Sequence, residues 1–158
     1  MSNIMRWRYG ETNPVIIPVE TSTAIEIGDL VYLSSGNAQP AAAQANQGTA
    51  AANQQLFHSN FAGVAMQQSR VGDGNPIRVA TSGVFEFDCP SSTFALGALL
   101  GPYEASGTTA LMSQQVTTVT AVDEAIGRCA SAVDPAATTV LVDIVSTVLY
   151  GGPQAAPS

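Results

Sequence analysis

Apolar residues in this chain recur mostly with a period of two, in short runs set apart by turn formers. The clearest run is Gly83-Val84-Phe85-Glu86-Phe87-Asp88-Cys89. On a strand it puts Phe85 and Phe87 on one face and Glu86 and Asp88 on the other, and Pro90 is expected to stop it. Leu30 to Leu33, Phe61 to Met66, Ile77 to Ala80, Val116 to Val122, Ala125 to Ala130 and Thr139 to Val145 read as further strands. Turns are expected at Ser34 to Asn37, Val71 to Pro76, Gly101-Pro102 and Asp134-Pro135. Val15-Ile16-Ile17-Pro18-Val19 is rich in β-branched residues, but its flanking prolines cannot donate ladder hydrogen bonds, which confines it to an edge or an arm.

Ala38 to Gln55 consists almost entirely of Ala, Gln and Asn and offers no apolar stripe of helical period to bury. It is expected to be a long surface loop with a helical turn over Ala50 to Gln55, either functional or mobile. Many short strands and little helical periodicity predict a mainly β chain, a small barrel or sandwich with an extended N-terminal arm and this long loop. The expected organisation is an arm over residues 1–14, one β domain over 15–150 with a flexible insertion at 38–55, and a frayed tail over 151–158. A faint internal echo runs through the domain. Gly28-Asp29-Leu30-Val31, Ala62-Gly63-Val64-Ala65 and the strands from Ile77 recur as Gly97-Ala98-Leu99-Leu100, Ile126-Gly127-Arg128-Cys129 and the strand from Val140, which suggests a duplication.

Composition narrows the function. Only 11% of the 158 residues are charged, against about 25% in an ordinary soluble domain. A surface so poor in charge resembles the centres of protein interfaces. The net charge is −7 and the basic residues are five scattered arginines, Arg6, Arg8, Arg70, Arg78 and Arg128. That pattern provides no basic stripe to neutralise phosphates, so direct nucleic-acid binding is not expected. No membrane association is expected either. Thr138 to Tyr150 is the longest apolar stretch, is interrupted by Asp143 and is too short to span a bilayer. The N-terminus lacks the apolar centre of a signal peptide. Cys89 and Cys129 read as small buried hydrophobes of a protein made in a reducing cytoplasm.

Candidate chemistry is sparse. His58 is the single histidine and has no second ligand near it in sequence. Nothing supplies an activated nucleophile or a phosphate-cradling glycine loop. Glu86 and Asp88 share a strand face but fall short of the six to eight oxygens that calcium takes. The expectation is a protein without catalytic residues, cofactor or metal, and not an enzyme. The notable segment is the arm, where Arg6, Trp7, Arg8 and Tyr9 are of the residue types that dominate interface hot spots. Val15, Ile16 and Ile17 behind it could add a strand to a partner's open sheet edge.

Taken together, Gly28 to Val31, Phe61 to Ala65, Ile77 to Val84, Leu96 to Leu100 and Ile126 to Ala130 give the chain a grammar that resembles the head decoration, or capsid cement, proteins of tailed bacteriophages. The likeness is to the lambda-like kind and its uncharacterised relatives encoded near major capsid genes, and it covers Val15 to Leu149. It departs from them in the Ala/Gln/Asn insertion and the Arg/Trp-rich start. The resemblance implies a virion protein on the capsid exterior, present in the host cytoplasm during assembly. Its implied partners are the major capsid protein, through the arm, and further copies of itself, as a homo-oligomer and most often a trimer. A phage tail or fibre component shares the composition. A small-ligand-binding barrel, with Arg78, Arg128 and the acidic strand face as its pocket, is the reading from another class.

Overall fold

The computed structural model describes residues 3–105 and 110–150. The expected tail over 151–158 and the first two residues of the arm lie outside the described residues. The chain is mainly β, with a closed five-stranded barrel and one strand added to it. That added strand comes first, β1 (Trp7–Tyr9). The first half of the chain then forms a five-stranded sheet from β2 (Val15–Ile17), β3 (Leu30–Ser34), β4 (Asn37–Pro40), β5 (Phe61–Ala65) and β6 (Ile77–Ala80). The second half forms the barrel from β7 (Ser82–Phe94), β8 (Leu99–Glu104), β9 (Leu111–Thr118), β10 (Gly127–Cys129) and β11 (Val133–Val145).

The two halves share one strand plan. The sheet runs β2-β6-β5-β3-β4 and the barrel runs β7-β11-β10-β8-β9, the same order displaced by five strands. Each of these neighbour pairs is antiparallel in both halves. The barrel closes where β9 meets β7 in parallel at Asp88 and Gln115. At the corresponding place in the first half, the Ala38 amide donates to Pro18 O just beyond β2. The echo in the sequence therefore marks a repeated architecture, and its paired glycines share one physical reason. A Cβ on Gly63 would lie 1.8 Å from Ala80 O on β6, and a Cβ on Gly127 2.2 Å from Asp143 O on β11. At both points adjoining strands approach more closely than a side chain allows.

Strand chemistry explains most of the elements. The β3–β4 hairpin turns on Ser35 and Gly36, both at positive φ (50° and 81°), the requirement of a two-residue type I′ turn. Proline-flanked β2 is an outer strand of its sheet, as its missing donors demand. Phe85 and Phe87 point into the barrel against Val142 and Val140 of β11, and Leu100, Val116, Ile126 and Ile144 complete that core. Leu30, Phe61, Val64 and Ala80 continue it into the first-half sheet. A second core of Ile17, Val19, Ile25, Val31, Ala62, Ile77 and Val79 fills the first-half sheet's other side. Cys89 and Cys129 are free and buried, as small hydrophobes.

Three prolines do not end strands as expected. β7 runs through Pro90 to Phe94, and β11 contains Asp134-Pro135 rather than following a turn there. Between the Asp88–Thr139 and Ser92–Ala137 pairs, β7 advances four residues against two on β11. Between Ser92–Ala137 and Phe94–Val133 the imbalance reverses. Two opposed bulges thus absorb the residues that cannot donate. Gly101-Pro102 also lies inside a strand, β8, at its pairing with Val116 of β9. The strand expected over Val116 to Val122 begins earlier, at Leu111, and ends at Thr118, which leaves Val122 on a 3-10 turn (Val122–Glu124).

The stretch over 38–55 is more structured than the loop expected of it. It holds most of β4, a 3-10 turn (Ala41–Ala43) and the start of an eleven-residue helix, α1 (Ala50–Asn60). The helix buries amides as well as apolar side chains, which is why no apolar stripe announced it. Asn53 donates to Glu104 Oε2 at 2.7 Å, Gln54 donates to Pro102 O at 2.9 Å, and the Gln44 amide donates to Asn53 O at 2.8 Å. Phe57 packs its ring between Tyr32 and Phe61, centroids 5.9 and 5.5 Å away. Thr49 caps the helix, its Oγ1 accepting from the Ala52 amide at 3.1 Å. Thr49→Ala is expected to lower stability by about 1 kcal/mol, read as a shifted midpoint at unchanged slope in urea unfolding.

Candidate interaction surface

The N-terminal arm is built into the fold. β1 lies antiparallel on β7, with Trp7 opposite Phe85 and the Glu86 amide donating to Arg6 O. Arg6 is only 3% exposed. Its Nε and Nη2 both donate to Gln114 Oε1 (3.1 and 2.8 Å), Nη1 to Glu86 O (3.2 Å) and Nη2 to Asp88 Oδ2 (3.3 Å). The guanidinium also lies 5.9 Å from the centroid of the Phe87 ring. Arg8 pairs at the surface with Glu86 Oε1 at 2.8 Å, a contact worth less than about 1 kcal/mol. The acidic face of β7 is thus matched by two arginines that alternate with the same period. That complementarity was readable in Arg6-x-Arg8 and Glu86-x-Asp88, but only with the pairing of two segments about eighty residues apart.

The seven arm residues separate accordingly. Arg6 and Ile17 are buried and Val15 is half-buried, so they hold the fold together. Trp7, Arg8, Tyr9 and Ile16 stay exposed, Ile16 at 59%. Trp7 Nε1 donates to Gly10 O at 2.9 Å, which fixes the indole over its own loop. The outward-facing residues lie on β1 and β2, each the outer strand of its sheet.

Sequence reasoning missed the two residues that complete the Arg6 cluster. Gln114 on β9 accepts from Arg6 and donates to Asp29 Oδ1 at 2.8 Å, while the Glu26 amide donates to Asp29 Oδ2 at 2.9 Å. Neither residue carries a local signal, since each is one polar position among many. Burial pushes the Asp29 carboxyl up from its ordinary value of 3.8, against the pull of those hydrogen bonds and of Arg6. The folded state therefore holds the Asp29 proton more tightly than the unfolded chain. The stability this supplies is present below pH 3.8 and is lost as pH rises through the folded value. Relative to Asp29→Asn, the unaltered protein should lose stability across that window and run parallel above it, as read from urea midpoints over a pH series.

A second exposed region lies where β8, β10, β11 and the short helix α2 (Thr147–Tyr150) meet the 3-10 turn. Leu99, Val122, Ile126, Val145 and Tyr150 line a groove of about 300 Å³, with Arg128 and Asp143 among its walls. His58 closes one side. Its Nδ1 lies 2.6 Å from Ala125 O, so that nitrogen carries the proton, and Thr147 Oγ1 donates to His58 O. Arg78 is on β6, outside the groove, and Glu86 and Asp88 are taken up by Arg8 and Arg6, so these residues do not converge with Arg128 on one pocket. Among the described residues no group of three His, Cys, Asp or Glu is placed to hold a metal ion. Burial, and then the Asp88 charge, push the Cys89 thiol up, away from the reactive thiolate.

Among the described residues no helix is long and apolar enough to cross a membrane. No protein-family model, curated protein or solved structure matches the chain.

Proposed function

We propose that this chain is a structural virion protein that binds the outer surface of a tailed-phage capsid and cements it, its partners being the major capsid protein and further copies of itself. The observation that carries the reading is the outward placement of Trp7, Tyr9 and Ile16 on the outer strands β1 and β2, on a chain with only 11% charged residues. Open strand edges can accept a partner strand through main-chain hydrogen bonds. Exposed aromatics there supply anchors of the kind that dominate interfaces. Many copies on one closed shell would act together, so modest contacts per copy add to a firm hold against internal pressure. The mechanism is physical and needs no reacting group.

Co-sedimentation with expanded, undecorated capsids of the encoding phage tests the proposal. Saturable binding and a raised disruption temperature are expected. Trp7→Ala/Tyr9→Ala should keep its fold and lose binding by about thirtyfold or more, since a hot-spot aromatic is worth about 2 kcal/mol. Failure of the unaltered protein to bind intact shells would turn the assignment toward a tail or fibre component.

A further inference from the structure

The groove over β8, β10 and β11 has a feature that the capsid reading does not use. Arg128 of β10 and Asp143 of β11 are direct cross-strand partners, so their side chains leave the same face of the barrel. They form no ion pair with each other. The Arg128 guanidinium turns to Gly97 O at 3.0 Å, and among the described residues neither side chain belongs to an ion pair. Both are exposed. Around them stand apolar side chains that water solvates poorly: Val122 at 65% exposure, with Val145 and Tyr150 each at 49%. Single exposed apolar residues are ordinary, but a contiguous set around one groove marks a contact site.

We infer that a second copy of this chain covers this face, related to the first by a two-fold axis between β10 and β11. Such an axis brings each Arg128 over the partner's Asp143 and each Asp143 over the partner's Arg128, so one adjacent opposite pair becomes two intermolecular ion pairs. Isologous contacts require this self-complementarity, in which residue i meets j and j meets i. A partner carrying a net charge of one sign would leave either Arg128 or Asp143 opposed, whereas a second copy satisfies both. The inference does not rest on the capsid reading, and it predicts a dimer in solution rather than the three-fold cluster that the phage resemblance implies.

Sedimentation equilibrium of the purified full chain, alone and without capsids, tests it. The unaltered protein should equilibrate between one and two chain masses at micromolar concentration. Arg128→Asp and Asp143→Arg should each weaken the dimer by about tenfold or more, because each places like charges together twice. The double variant R128D/D143R should recover to within about threefold of the unaltered protein, since the swap restores both pairs. Each single swap also sets like charges across β10 and β11 within one chain and should melt lower than the original. The double variant should regain the original melt, and superposable circular dichroism of all four proteins at the sedimentation temperature separates lost pairing from damaged folding. A monomer at about 100 μM, a trimer mass, single swaps without effect, or a double variant as weak as the singles would each overturn the inference.

Discussion

Gly63→Ala and Gly127→Ala are each expected to unfold the protein or to cost it at least about 4 kcal/mol, the range reserved for a named steric cause. The added methyl carbon would sit 1.8 Å from Ala80 O in the first case and 2.2 Å from Asp143 O in the second. Backbone must move in both, because the obstructing atom is a carbonyl of the neighbouring strand. At Gly63 the backbone φ of 153° adds a conformational cost. Gly97→Ala is the control. Gly97 also has positive φ, 83°, but nothing lies within 4 Å of its hypothetical Cβ, so only the conformational term of about 1–2 kcal/mol applies. Urea unfolding of the three variants should place Gly63→Ala and Gly127→Ala together and Gly97→Ala apart. Equal costs at all three would remove the close strand approach as the reason for these glycines.

Arg6→Ala should cost about 3 kcal/mol, because it removes a buried guanidinium whose hydrogen bonds tie Gln114 of β9 and the Glu86 carbonyl of β7 to β1. For a chain of this size that is a fall of roughly 6–12 °C in Tm. Lysine should not rescue it. An ammonium cannot reproduce the fork by which Arg6 reaches Gln114 Oε1, Glu86 O and Asp88 Oδ2 at once. The loss should be local as well as global, with faster hydrogen exchange at the Glu86 amide, which donates to Arg6 O. An Arg6→Ala protein with unchanged Tm would mean that β1 is a passive arm after all.

How much of this was legible follows from where each signal resides. The runs of Phe85 to Asp88 and Val140 to Ile144 announced a barrel or sandwich, because one face of each strand is apolar and the other is not. The echo of Gly63 in Gly127 announced the repeat, although short motifs alone could not show that the two halves share a strand order. Only the first turns of helix α1 were legible, over Ala50 to Gln55, and its extent and seat stayed hidden because Asn53 and Gln54 are buried through amide hydrogen bonds, which no hydrophobic period records. Pro90 and Pro135 misled for a related reason, since a bulge that tolerates proline is a property of the paired strand and not of the local run. The arm's residue types stand out in the sequence, but an arginine that anchors a partner and one that anchors its own sheet look alike until Asp88 and Gln114 are placed beside it. The groove over β8, β10 and β11 is assembled from single residues of several elements, so beyond Arg128 no local run points to it.

The proposed place of this protein is the outside of a capsid, held there through its outer strands. The most direct test is a difference map between reconstructions of complete phage particles and of particles lacking this chain. Density is expected on the outer shell surface, with Trp7, Tyr9 and Ile16 turned toward the capsid protein. Density confined to the tail or fibres, or no difference anywhere in the virion, would contradict it.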